Sequence, residues 1–167
     1  MKIFYFNFKN KNMNPGYATL KTYNEVMISD NEIQEEYPNL NDFHLFESDL
    51  NGKNLFSDII TNGHSKILII YDVIKKILFF NIELINIYNI ISCAIYMLNE
   101  QDEMDQLVFE IFNKTKKNKL QKIISFDQLK FDLELFFKLI MDEKIVICIN
   151  TESYPNGEIV GFIKLIY

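Results

Sequence analysis

The sequence predicts an α+β fold: a single domain in which a largely antiparallel sheet packs against one or two helices and ends in a C-terminal β-hairpin. Three observations lead to this fold class. The chain has 167 residues, of which 49% are hydrophobic, and this is enough for one domain with its own core. A long apolar run fills positions 66–98. The last segments are rich in Ile and Val around a turn sequence, which is typical of paired strands.

The central run, 66–98, predicts a helix at 66–79 and then a strand at 82–91. Apolar residues recur at helical spacing in its first half, at Ile67, Ile70, Ile74, Ile77 and Leu78, and Ser65 is in place to cap that helix. The Ile-rich second half favours a strand. A helix is the alternative for this second half, because polar residues recur every three positions, at Glu83, Asn86, Asn89 and Ser92. The charges within the run argue against a membrane span.

Within the single domain the chain divides into an acidic portion of strands and turns, 1–62, and an apolar helix-strand core with the terminal hairpin, 63–167. The elements predicted in the first portion are strands at 2–8, 17–28 and 43–46, a capped helical turn at 29–37, and a turn at 49–53 around Asn51-Gly52.

Two of the later segments fit more than one type of secondary structure. Residues 107–112 and 128–141 each fit either a helix or a strand, whereas 120–126 is predicted to be extended. The predicted hairpin joins 144–150 to 158–167 through a Tyr-Pro-Asn-Gly sequence, a strong turn signal.

The charge of the chain narrows the classes of partner. Its net charge is −6, and all 17 basic residues are Lys, so no guanidinium is present to bind phosphate or guanine in a bidentate way. This composition disfavours nucleic acid and anionic membranes as partners and favours a basic protein. The lysine tract at 114–122 is interpreted as a solvated connection for the same reasons.

The residue pattern contains no recognisable motif for catalysis or for cofactor binding. His44 and His64 are not at ligand spacing from Cys or acidic residues, and Gly-rich phosphate loops and nucleophile elbows are missing. Cys93 and Cys148 lie in apolar runs and are expected to be buried thiols in a reducing cytoplasm, since the start of the chain lacks a signal-peptide pattern. We therefore expect no catalytic residue, no metal and no cofactor. A small enzyme stays an alternative, because acidic residues that are far apart in the sequence can form a carboxylate pair in the folded protein.

An acidic stretch is the strongest candidate for a binding surface. From Asn24 to Gly52 the chain has eight acids and no Lys, and aromatic residues lie between them. A solvated face is one interpretation. The other is a docking surface, steered by the acids and anchored by the aromatic rings. On this second interpretation the partner-binding residues are Asp30, Glu32, Glu35, Glu36, Tyr37, Asp42, Phe43, Glu47 and Asp49.

The order of segments over about residues 66–167 is similar to that of a known family. The segments concerned are Tyr71–Ile90, Tyr96-Met97-Leu98-Asn99 with the following Asp105, Phe136–Leu139 and Gly161–Leu165. In this order the chain resembles the bacterial immunity proteins called DUF1629 or Imm11. The resemblance also favours strands at 82–91, 107–112 and 129–138.

The resemblance implies a cytoplasmic immunity protein that neutralises a cognate toxin domain, such as a nuclease, by binding it. It implies no catalytic residue in this chain, and the acidic stretch suggests that the toxin is basic. A small enzyme with a carboxylate-lined site and a structural or assembly subunit are the alternatives.

Overall fold

Strands form most of the computed structural model, which describes residues 42–53, 59–129 and 132–166. The predicted elements at 2–8, 17–28 and 29–37 lie outside these residues. The strands are β1 (Phe43–Asn51), β2 (His64–Asp72), β3 (Ile77–Ile85), β4 (Ile90–Leu98), β5 (Met104–Thr115), β6 (Lys119–Ser125), β7 (Ile145–Thr151), β8 (Ile159–Phe162) and β9 (Lys164–Leu165). The described ranges contain one α-helix, α1 (Leu133–Met141), and a 3-10 turn at Phe126–Leu129 precedes it.

The strands form one antiparallel sheet that curls into a nearly closed barrel. Their order is β5-β4-β7-β8-β1-β2-β3-β6, with β9 also paired to β1. The two strands at the ends of this order, β5 and β6, are consecutive in the chain and are joined only by residues 116–118. The predicted α+β class, with helices packed on a sheet, is therefore wrong.

The predicted helix at 66–79 is also wrong, because these residues form the hairpin of β2 and β3. Side chains alternate along β2, so that Ile67, Ile69 and Tyr71 point into the barrel. The turn at 73–76 is fixed by Asp72, whose carboxylate accepts hydrogen bonds from the Lys75 backbone N (2.9 Å) and side chain Nζ (2.6 Å). Helical spacing of Ile residues was a coincidence of two strands around one turn, and β-branched side chains favour the extended form.

Strands were also predicted at 82–91, 129–138 and 107–112, and the structure agrees fully only with the last of these. The strand predicted at 82–91 is interrupted, because Asn86 and Asn89 adopt left-handed conformations (φ +56° and +52°) between β3 and β4. The resemblance favoured a strand at 129–138, but α1 begins at Leu133, where Asp132 caps it by accepting a hydrogen bond from Leu135 N (2.7 Å). The strand reading at 107–112 is confirmed by β5.

Other sequence predictions are confirmed. The extended segment at 120–126 corresponds to β6, and the predicted C-terminal hairpin corresponds to β7 and β8, which pair Ile149 with Ile159. The short strand predicted at 43–46 lies within the longer β1.

Apolar side chains from all sides fill the barrel. One layer consists of Phe46, Ile69 and Phe80, which are aligned across β1, β2 and β3 and almost completely buried. Each buried side chain of this size contributes about 2–3 kcal/mol. The helix α1 closes one end of the barrel by inserting Phe136 and Ile140. Among the described residues, no helix has both the length and the apolar character needed to cross a membrane.

Local irregularities occur at two places in the sheet. β5 is three residues longer than β4, and three register shifts occur between them; extra residues of this kind bend a strand and increase its twist. On the other side of the barrel, a Cβ added to Gly161 would lie 2.5 Å from the Asp49 carbonyl oxygen. Only Gly allows β8 to approach β1 so closely.

Candidate partner-binding surface

The structure describes four of the nine residues predicted to bind a partner. The other five lie outside the described residues: Asp30, Glu32, Glu35, Glu36 and Tyr37. Asp42 and Phe43 lie at the end of the barrel that α1 closes, where the Asp42 carbonyl accepts a hydrogen bond from Val73 N (2.9 Å). Glu47 and Asp49 are exposed on the outer side of β1.

The acids of β1 lie beside lysines of other strands. Strand register places four residues in one row across β1, β2, β3 and β6, with alternating charge: Asp49, Lys66, Glu83 and Lys119. Lys66 Nζ is 3.8 Å from Asp49 Oδ1, and Lys119 Nζ is 2.9 Å from Glu83 Oε1. Lys164 of β9 is aligned with Glu47 in the same way. The outer face of β1 therefore has mixed charge, although its sequence neighbourhood is acidic.

A second acidic surface, which was not predicted from the sequence, lies at the end of the barrel that α1 closes. The turn between β4 and β5 and the connection between α1 and β7 adjoin here, because Leu98 N donates to the Lys144 carbonyl (2.9 Å). Lys144 Nζ also donates to the Asn99 carbonyl (3.1 Å) and to Asp102 Oδ1 (2.6 Å). One lysine thus holds together two acidic connections that are about 40 residues apart in the chain.

This helix-end surface combines exposed carboxylates with an exposed apolar side chain. We define it by Glu100, Asp102, Glu103, Asp105, Met141, Asp142 and Glu143, all of which are exposed. Met141 is 72% exposed although it belongs to α1, because the helix buries its Phe136 and Ile140 instead. The helix ends directly after Met141, where Asp142 N donates to the Lys138 carbonyl (2.9 Å).

The sequence did contain a signal for this surface. Acids at 100–105 and at 142–143 each follow an apolar segment and precede a strand. The two groups could be joined only by the pairing of β4 with β7, which places Met97 opposite Ile145.

A buried carboxylate at the opposite end of the barrel has a structural role. Glu158 is nearly buried, and its two oxygens accept hydrogen bonds from the hydroxyls of Thr61 and Thr151, both at 2.7 Å. The Thr61 hydroxyl also accepts from Gly63 N (2.9 Å). These bonds join the segment before β2 to the hairpin of β7 and β8. No cluster of three potential metal ligands occurs in the described ranges.

The two thiols are buried on opposite faces of the sheet, and His44 packs against aromatic rings. Cys93 points into the barrel, whereas Cys148 belongs to a small apolar cluster on the other face of the sheet. Burial raises the pKa of the Cys148 thiol to about 12 and raises that of Cys93 well above its usual range, so both remain protonated and unreactive near neutral pH. The His44 ring packs against the rings of Tyr71 and Phe137, with centroid distances of 6.2 and 4.8 Å.

Comparison with known proteins assigns no family to this chain. No family model matches it, and neither does any curated protein or solved structure. The resemblance to immunity proteins therefore stays a prediction, and the helix-end surface is the feature on which a function can be proposed.

Proposed function

We propose that this protein is a non-catalytic inhibitor that binds a basic protein domain through its helix-end surface. The observation that carries the proposal is the grouping of six exposed carboxylates around exposed Met141, with Lys144 as the cation that links them. In line with the resemblance, we propose that the partner is a cognate bacterial toxin and that the complex forms in the cytoplasm.

Two physical features support a binding role for this surface. Several negative charges at one end of a molecule attract a basic partner and accelerate its association. A protruding Met can fit pockets of varied shape, because its side chain is unbranched and flexible. Asp42 and Phe43, from the acidic stretch of the sequence, lie at this same end of the barrel.

The hydrogen bonds around Lys144 hold part of the surface in place before a partner arrives. Asn99 Oδ1 accepts from the backbone N of both Gln101 and Glu103, each at 2.9 Å, which fixes the turn between β4 and β5. A surface that is already ordered loses less conformational entropy on binding.

The first experiment is capture of a partner from the protein's own cells, with washes at about 0.15 M and about 1 M salt, where charges are screened beyond about 8 Å and 3 Å. We expect one stoichiometric basic protein that is retained less well at high salt. Expressed alone, it should arrest growth, and co-expression of this chain should restore growth.

Charge-reversal variants test the surface itself. Glu100→Lys with Glu143→Lys should weaken the purified complex at least tenfold, which corresponds to about 1.4 kcal/mol. Glu110→Lys with Glu152→Lys is the matched control, because it changes the net charge equally at exposed acids elsewhere. Glu47→Lys with Asp49→Lys tests the acidic stretch of the sequence. Equal binding by all three variants would refute the surface, and failure to restore growth would refute the inhibitor role.

A further inference from the structure

A pair of short links lies side by side at the end of the barrel opposite α1. Residues 86–89 connect β3 to β4, and residues 116–118 connect β5 to β6. β3 pairs with β6 and β4 pairs with β5, so both links cross between the same two strand pairs. On one side, Leu84 N near the end of β3 donates to the Asn118 carbonyl of the second link (2.7 Å). On the other side, the first residue of β4, Ile90, pairs with the last residue of β5, Thr115.

The first link displays an aromatic ring. The left-handed conformations of Asn86 and Asn89 turn the chain so that Ile87 packs into the core while Tyr88 points outward. Tyr88 is 73% exposed, although tyrosine has a large apolar surface. The ring is therefore exposed on the first link, at the same end of the barrel as the second link.

The second link and its flanks carry lysines, namely Lys114, Lys116, Lys117 and Lys119, all exposed. Lys119 is paired with Glu83 (2.9 Å), whereas the other three form no ion pair within the described part of the chain. Lys117 N donates to the Thr115 hydroxyl (3.1 Å), which shapes the link. Three acids belong to the strands and loops that flank these links: Glu83 of β3, Glu110 of β5, which accepts a hydrogen bond from the Asn113 side chain, and Glu152, whose backbone N donates to the Asn89 carbonyl.

We infer that this lysine-tyrosine edge, formed by Tyr88, Lys114, Lys116 and Lys117, binds single-stranded nucleic acid. Lysines attract the phosphates, and an exposed ring stacks on an unpaired base, which is how such strands are held without sequence readout. A duplex keeps its bases stacked on one another and offers no such face to Tyr88. The inference is independent of the proposed inhibitor role.

The net charge of −6 disfavours nucleic-acid binding for the chain as a whole. It does not describe the charge of any one part of the surface. The fold separates the charges, because the helix-end surface collects acids at one end and the second link collects lysines at the other. A polyanion responds to the local field that it approaches. It would therefore meet the lysine end first and be repelled from the helix end.

The test is fluorescence anisotropy of the full chain with a labelled oligouridylate of about 12 nucleotides, a length within the usual site sizes, at salt from about 0.02 to 0.2 M. With three lysines on phosphates, log K against log salt should have a slope of about −2. Lys116→Gln with Lys117→Gln should reduce that slope by about 1.4. Tyr88→Ala should weaken binding about 5- to 160-fold while leaving the slope unchanged.

Two controls keep the inference falsifiable. Lys138→Gln with Lys164→Gln removes two exposed lysines elsewhere and should leave binding unchanged. Heparin, a polyanion without bases, should bind equally well to Tyr88→Ala and to the original chain. The inference is overturned if the oligonucleotide does not bind at the lowest salt, if both lysine pairs have equal effects, or if Tyr88→Ala binds the oligonucleotide normally.

Discussion

Lys144 Nζ lies 2.6 Å from Asp102 Oδ1, and this ion pair joins the β4–β5 turn to the end of α1. Its side chains are partly exposed, 32% for Lys144 and 65% for Asp102, so solvent screens the attraction. The pair nevertheless decides where the surrounding carboxylates lie, because Lys144 also donates to the Asn99 carbonyl.

Replacing this lysine should loosen the helix-end surface. We expect Lys144→Met to lower the free energy of unfolding by about 1 kcal/mol, because it removes two hydrogen bonds and leaves the neighbouring acids to repel one another. The loss should be larger at low salt, as measured by urea unfolding at two salt concentrations. Lys138→Met, on the exposed side of α1, is the control. Equal losses in the two variants would show that Lys144 has no special role.

Two buried serines should respond in opposite ways to removal of the hydroxyl. Ser48 Oγ makes no hydrogen bond with the part of the chain that the structure describes, so Ser48→Ala should be neutral or stabilising by up to about 1 kcal/mol. Ser65 Oγ donates to the Glu83 carbonyl at 2.8 Å, so Ser65→Ala should destabilise by about 1 kcal/mol. Thermal unfolding of both variants measures the difference. A clear loss for Ser48→Ala would contradict this account.

Glu158 should contribute to stability through its hydrogen bonds to Thr61 and Thr151. Glu158→Ala would remove the acceptor of one buried hydroxyl, Thr151, and one partly buried hydroxyl, Thr61, and should lower the free energy of unfolding by about 2–4 kcal/mol. Glu152→Ala, at an exposed acid nearby, should change it by less than about 0.5 kcal/mol. Chemical denaturation compares the two. If Glu158→Ala proved as mild as the control, the carboxylate would not be holding these segments together.

The buried thiols predict a loss of stability in alkali. In the unfolded chain a thiol ionises at about pH 8.5, whereas burial raises the pKa of Cys148 to about 12. Between these values the native state binds more protons than the unfolded state, so stability falls as pH rises, by up to about 1.4 kcal/mol per pH unit for this thiol.

The alkaline effect can be assigned to Cys148 by difference. Cys148→Ala should unfold with a shallower pH dependence than the original chain between about pH 8.5 and 10.5, and its offset at neutral pH does not affect that slope. In the folded original chain, a disulfide reagent should leave both thiols unmodified. Rapid modification of Cys148 at neutral pH would contradict its burial.

Part of the fold was readable from local sequence because local chemistry specified it. The Ile-rich segments around Tyr154-Pro155-Asn156-Gly157 predicted the pairing of β7 with β8, since a turn fixes which strands meet. Residues 66–79 were misread because their Ile spacing fits a helix as well as two strands. The turn between the two strands is fixed by a hydrogen bond from Lys75 N to the Asp72 carboxylate. The spacing of apolar residues carries no information about such a bond.

The sequence by itself determined that this chain has an apolar core, two thiols in apolar surroundings and an excess of acid with no arginine. Only the tertiary structure decided where the charges lie. Strand register set Asp49 beside Lys66, and the pairing of β4 with β7 brought Asp102 to Lys144. The reason is physical: composition fixes the sum of the charges, but attraction depends on distances between groups that are far apart in the chain.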